Sequence, residues 1–324
     1  MADMNAKIIS SDDYSENMDL IVEPFLSSSL RSGYFVRHND RPVYYEYHKA
    51  NTPIGNIVIV HGFSECIDKY DESIFYLLKE NYSVFLIQQE GHGRSYRDLD
   101  DLSKIQIPDY HDLIDDLEYF VKSIVMPNSD GLPLYLYSHS MGGAVSVCLM
   151  QRRPDMFKKA VLSSPMIEIE TGHIPIFIDE LLCRIMVILG RSDEYIPGSG
   201  PFSGEPDYSA SGAANKTRYE YSFDMIKNEP LYQTSGTTYR TSLELIKMCR
   251  QSLDPEKCPQ IKTPVLLLTA GKDAWVKACG QKKLAGLLAD CRTESFPGIK
   301  HELFTADDGV LMHYWTLIFD FLGK

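Results

Sequence analysis

The chain has 324 residues, a length that one core of roughly 200–250 residues with an insertion would fill. Apolar residues make up 44% and charged residues 24%, which excludes a collagen-like or disordered chain. The formal charge of −13 excludes a nucleic-acid binder, because phosphate contacts need a basic surface, and it offers no general attraction to anionic lipid headgroups.

Residues 1–19 contain no apolar stretch of signal-peptide type, so no signal peptide is expected. No run of about 18 apolar residues exists either; the closest, Ile174 to Leu189, is broken by Asp179, Glu180 and Arg184. The cysteines are Cys66, Cys148, Cys183, Cys249, Cys258, Cys279 and Cys291, an odd number with no C-x-x-C. They read as reduced core residues, neither a disulfide framework nor a zinc site, in a protein that is cytoplasmic and soluble or peripheral at a membrane.

In chain order, Tyr34–Val36 and Val43–His48, joined through His38, Asn39 and Asp40, predict an opening hairpin. Short apolar runs then predict buried strands at Ile57–Val60, Val84–Ile87, Pro133–Tyr137, Ala160–Ser163 and Pro264–Leu268, with a last strand at Thr293–Phe296. Helical patterns lie between them, at Asp71–Glu80, Tyr110–Ile124, Met141–Arg152, Trp275–Leu288 and Gly309–Phe321. Such alternation predicts an α/β fold with a mostly parallel central sheet and helices on both faces. The alternation stops between about Pro165 and Tyr239, where an apolar amphipathic segment is followed by a Pro/Gly/Ser-rich stretch and an aromatic-rich one. The expected organisation is therefore a core of residues 1–165 and 240–324, with residues 166–239 inserted as a cap.

The segment Leu134 to Ala144 carries the chemistry: an apolar strand, a tight turn of small residues centred on Ser140, then a helix. A serine at such a turn is held strained and exposed at the top of a sheet, and the helix N-terminus behind it favours developing negative charge. Gly142 is required because a side chain there would collide with the neighbouring strand. The usual pattern is G-x-S-x-G; here Ser138 takes the place of the first glycine, and serine is small enough for the packing. The alternative is a serine that merely caps the helix.

A serine hydroxyl needs a base, and the base needs a partner that fixes its tautomer. Asp273 ends the strand Pro264–Ala270 after a glycine turn, where a carboxylate can reach an imidazole. It could instead cap a helix starting near Trp275. His301 follows the last strand and precedes the final helix, and it is the expected base. Among the other histidines, His139 adjoins the nucleophile and should point away from its hydroxyl. His61 and His92 lie in glycine turns, His313 falls inside a helix, and His38, His48, His111 and His173 have no supporting context. Two backbone N–H groups, of Phe63 after the strand ending in His61-Gly62 and of Met141 after the nucleophile, should form an oxyanion hole.

Together these residues resemble the lysophospholipase and monoacylglycerol lipase family of the α/β-hydrolase superfamily. His61, Gly62 and Glu65 match its H-G-x-x-E, and Gly91, His92, Gly93 and Ser95 its G-H-G-x-S. His139 to Gly143 match its H-S-M-G-G, and the likeness spans about residues 40–323. Where the family has D-x-R before G-H-G, this chain has Gln88-Gln89-Glu90, so a local salt bridge is not expected in its usual form. Ser138 and the stretch Thr217-Arg218-Tyr219 are similar to bacterial lysophospholipases of this group.

The resemblance implies a monoacyl lipid substrate bound between cap and core, and hydrolysis through an acyl-enzyme. Ile176, Phe177, Leu181 and Ile185 are candidates to line the acyl site or to touch a bilayer surface. Short-chain esterases and thioesterases use the same triad. An aminopeptidase would hold its substrate amine with acidic cap residues such as Asp179, Glu180, Asp193 and Glu194. A non-catalytic binding protein on this scaffold would usually have lost a triad member. Neither metal nor cofactor is expected.

Overall fold

The computed structural model describes residues 8–37, 40–172 and 174–323, so the expected turn residues His38 and Asn39, and His173, lie outside the described residues. A helical N-terminal segment, α1 (Tyr14–Asn17) and α2 (Glu23–Ser29) joined by a π-helical turn, leads into the hairpin β1 (Leu30–Val36) and β2 (Pro42–His48). Next come β3 (Gly55–Val60), α3 (Asp71–Lys79), β4 (Tyr82–Ile87), the short β5 (Lys104–Ile105) and α4 (Tyr110–Phe120). Then follow β6 (Leu134–His139), α5 (Met141–Arg152) and β7 (Lys159–Ser163). Residues 166–239 contain α6 (Ile176–Ile188), α7 (Lys216–Asn228) and the two-residue β8 (Gly236–Thr237). The chain returns through α8 (Tyr239–Ser252), β9 (Val265–Ala270), α9 (Ala278–Leu287), β10 (Cys291–Phe296) and α10 (Asp308–Leu322).

The central sheet runs β1-β2-β4-β3-β6-β7-β9-β10, and β2 alone runs in the direction opposite to the other strands. This is the α/β-hydrolase fold. Alternate residues of each central strand feed opposite layers, as the period of two requires. Val58, Val60, Phe85, Ile87 and Leu136 pack under α4, α5, α8 and α9. Ile57, Ile59, Val84, Leu86 and Tyr137 pack under the N-terminal segment, α3 and α10. In the β3–β6 pair Val60 lies opposite Ser138, so the loop after β3 and the turn after β6 leave the sheet side by side. Crevices at the carboxyl ends of strands are where open α/β sheets bind ligands.

The N-terminal helical segment, α7 and α8 carry no expectation from the sequence. In α7 the buried side chain is Arg218, so no apolar period marks it. Its guanidinium lies 3.0 Å from Glu72 Oε2, 2.9 Å from Glu72 Oε1 and 3.0 Å from Asp308, and donates to the Ile9 carbonyl at 2.7 Å. A buried charge persists only when it is paired in this way. On the other side, Cys183 and Met186 of α6 pack on Tyr239 and Leu243 of α8. Five of the cysteines are buried, but Cys279 is exposed and Cys291 half-buried, which corrects the expectation that all are core residues.

Candidate active site

The turn between β6 and α5 holds Ser140 at φ 50° and ψ −118°. A non-glycine residue in that region costs about 1–3 kcal/mol, so its surroundings must fix it. Its N–H donates to the Ser163 carbonyl at 3.1 Å, and its own carbonyl accepts from Gly143 at 2.9 Å and Met166 at 2.8 Å. The side chain does not cap α5, so helix capping does not explain the serine. A Cβ on Gly142 would lie 2.2 Å from the Val60 carbonyl oxygen and 2.6 Å from that of His61, both backbone, so only glycine fits where the elbow crosses β3. Ser138 fits its position in volume but leaves its buried hydroxyl without a hydrogen-bond partner.

Asp273 divides its two oxygens between two tasks. Oδ1 accepts the N–H groups of Trp275 at 2.9 Å and Val276 at 3.0 Å, so the turn after β9 closes on it and α9 begins only at Ala278, later than expected. Oδ2 lies 2.6 Å from Nδ1 of His301. Burial pushes the Asp273 carboxyl up, but the His301 hydrogen bond and charge and the two backbone donors outweigh it and hold it below the usual value. A carboxylate held on Nδ1 leaves Nε2 as the acceptor that a serine proton needs. The rings of His139 and His301 are 4.7 Å apart, which brings the Ser140 turn and the Asp273–His301 pair to one point on the sheet edge. Ser140 is 8% exposed and His301 7%.

The loop after β3 is fixed by residues distant from it in the chain as well as by its own. Glu65 Oε2 accepts the Gly62 N–H at 2.5 Å and the Tyr70 hydroxyl at 2.6 Å. His92 Nε2 accepts the Ser64 N–H at 3.1 Å, and Ser64 takes a positive φ of 54°. Phe63 sits between these two tied amides; its own N–H, like that of Met141 at the start of α5, has no acceptor among the described residues. Two such donors beside a serine are what a developing oxyanion requires.

His61 Nε2 in turn accepts the N–H of Gln89 at 2.9 Å. The departure Gln88-Gln89-Glu90 is accommodated here: the Gln89 amide donates to the His61 carbonyl at 2.6 Å, and Glu90 pairs with Arg41 at 3.0 Å. The Glu65 carboxyl is held below its usual value despite its burial, because Lys69 and the donors named above outweigh desolvation. The family motifs H-G-x-x-E and G-H-G-x-S were the available signal for this group.

His48, His61, His92 and His139 are buried, and burial lowers each imidazole, His48 to about 4 and His139 to about 3. In the unfolded chain they titrate near about 6.5. Between those values the unfolded state binds more protons, so stability present above pH of about 6.5 is lost as pH falls toward the folded values. These histidines therefore lower the melting temperature between pH 7 and pH 4, while the Glu90 and Asp116 carboxyls, which burial pushes up to about 8 and about 7, act in the opposite sense. His48→Gln, which removes an imidazole whose Nδ1 meets the Ser29 hydroxyl, should lose less melting temperature than the parent between pH 7 and pH 4. An equal loss in His48→Gln and the parent would contradict the assignment.

The serine aminopeptidase, S33, family model matches residues 51–308. A probable lysophospholipase L2 of Haemophilus influenzae is 27% identical over 270 residues, covering 82% of this chain and 83% of its own. A monoacylglycerol lipase of Mycolicibacterium smegmatis is 23% identical over 278 residues, covering 84% and 90%. Among solved structures, a carboxyl esterase from Bacillus coagulans in complex with glycerol superposes with a TM-score of 0.74 at 16% identity, covering 91% of this chain and 98% of that one. With most of its length matched, the chain belongs to the serine aminopeptidase, S33, family of α/β hydrolases.

Proposed function

We propose that the protein is a serine carboxylic-ester hydrolase of monoacyl lipids, and specifically a lysophospholipase that releases a fatty acid through an acyl-enzyme. The observation that carries this is the 2.6 Å Asp273–His301 pair beside a strained serine elbow, with one unpartnered amide donor in the elbow and one in the loop after β3. His301 Nε2 takes the Ser140 proton as the oxygen attacks the ester carbonyl. The N–H groups of Phe63 and Met141 hold the oxyanion, and collapse expels the glycerol-bearing alcohol with the proton from His301. Water, activated by the same imidazole, then releases the fatty acid and restores Ser140.

Residues 166–239 act as the cap in this reading. Eight of the seventeen exposed large apolar side chains among the described residues lie between Ile174 and Leu189, including Phe177 at 66% and Ile188 at 83%. Phe177, Leu181 and Ile185 face solvent, which favours peripheral contact of α6 with a lipid surface over lining an enclosed tunnel. No helix among the described residues is long and apolar enough to cross a membrane. A cytoplasmic location, consistent with the unpaired cysteines, belongs to the same proposal.

The relatives named lysophospholipase and monoacylglycerol lipase support a lipid ester over a peptide. So does the state of two of the four acidic residues that an amine substrate would need: Glu180 is engaged by Arg184 and Arg250, and Glu194 by Arg191. Acyl release measured side by side on lysophosphatidylcholine, monoacylglycerol, short p-nitrophenyl esters and aminoacyl amides tests the proposal. The highest kcat/KM is expected on lysophosphatidylcholine. Preference for monoacylglycerol or a short ester would move the substrate within the ester class, and preference for the amides would overturn the lipid assignment.

A further inference from the structure

The loop that carries His301 is clasped by the cap. Lys300 Nζ donates to the carbonyl oxygens of Tyr208 at 2.7 Å, Ser211 at 3.3 Å and Ser209 at 3.4 Å, and lies 4.2 Å above the Tyr208 ring. On the other side of His301, the Glu302 N–H donates to the Gly212 carbonyl at 2.9 Å, and Ala213 and Glu302 form a parallel bridge. Two further links follow: the Ala214 N–H to Thr305 Oγ1 at 2.9 Å, and the Asn215 amide to Asp307 at 2.7 Å. The cap backbone passes so close that a Cβ on Gly212 would lie 3.4 Å from the His301 Cβ and 3.1 Å from Glu302 Oε1.

From the core, the His301 side chain donates one hydrogen bond, to Asp273, and the neighbouring Glu302 accepts one from Lys69 at 2.7 Å. Both residues flanking the imidazole are thus fastened to residues 208–212. An ammonium has three N–H donors, and three carbonyl oxygens satisfy all of them; the flat fork of a guanidinium does not match that seat.

We propose that Lys300 is a positioning residue, whose seat in the cap carbonyls sets where His301 stands relative to Ser140. The proposal rests on His301 as the base and residues 166–239 as the cap. It makes the placement of the base a property of the cap: displacing residues 208–212 moves the histidine loop, even for a substrate too small to touch the cap. Misplacing a catalytic group by about 1 Å can cost roughly 10²-fold in rate.

The test uses the full chain and p-nitrophenyl acetate, an ester too short to need the cap for binding. Lys300→Met is expected to lower kcat by roughly 10- to 100-fold with KM unchanged. Its melting temperature should stay within about 3 °C of the parent, as expected for loss of a partly exposed contact. Lys300→Arg should not restore the rate. Gly212→Ala, which presses on the loop from the cap side, should lower kcat in the same way, and it carries the test should Lys300→Met fail to fold.

A kcat within about twofold of the parent for both variants, or an effect on KM alone, would overturn the positioning role. His301→Ala is measured in parallel. If it keeps its kcat, the assignment of the base has failed; if it loses activity while the other variants keep theirs, only the positioning proposal has failed.

Discussion

Ser140→Ala is expected to lower kcat on lysophosphatidylcholine on the order of 10⁶-fold while leaving the fold intact. The loss is large because the base and the oxyanion donors act on this oxygen and have nothing to activate without it. The fold survives because the hydroxyl does not cap α5. The strain at φ 50° is held by backbone bonds to Ser163, Gly143 and Met166, which alanine keeps. Stability should change by less than about 1 kcal/mol, read as an unaltered thermal midpoint beside the lost turnover. Residual activity above about 1% of the parent would mean that another nucleophile acts.

Asp273→Asn should cost about 10⁴-fold in kcat with little effect on KM. The Oδ1 position is held by the N–H groups of Trp275 and Val276, so the new amide keeps its oxygen there and turns its NH₂ toward His301. Nδ1, at 2.6 Å from the replaced oxygen, must then accept instead of donate. The imidazole is forced into the tautomer with a proton on Nε2, which cannot take one from Ser140. Kinetics on a soluble ester at pH 7–8 measure this directly, and a loss below about tenfold would show that His301 does not depend on Asp273.

The candidate site was legible because each of its residues follows a strand: β3, β6 and β9 are buried runs rich in apolar residues, whereas β10 is polar and half-exposed. Ser140 comes after β6, Asp273 after β9, His301 after β10, and the Phe63 loop after β3. A parallel sheet gathers the carboxyl ends of its strands on one edge, so chain order alone converts these positions into a site.

What sets the shape of that site was not legible, because it depends on pairs far apart in the chain. Nothing near His92 announces that its Nε2 receives the amide of Ser64, 28 residues earlier. Arg218 reads as one more charge on a polar helix until Glu72, 146 residues away, closes on it. Lys300 likewise meets its three carbonyls about 90 residues upstream. α9 starts later than its sequence suggests for the same reason: Asp273 does accept the N–H groups of Trp275 and Val276, but Val276 then bridges to the distant Ile169, and the helix begins at Ala278.

The most direct test of Ser140 as the activated nucleophile is covalent. The parent protein, Ser140→Ala and His301→Ala are exposed to a fluorophosphonate probe, digested, and the adduct is located by mass spectrometry. The account predicts an adduct on the peptide containing Ser140 in the parent, none in Ser140→Ala, and labelling slowed by at least about 10³-fold in His301→Ala. Equal labelling of parent and Ser140→Ala, or an adduct on any other residue, would contradict it.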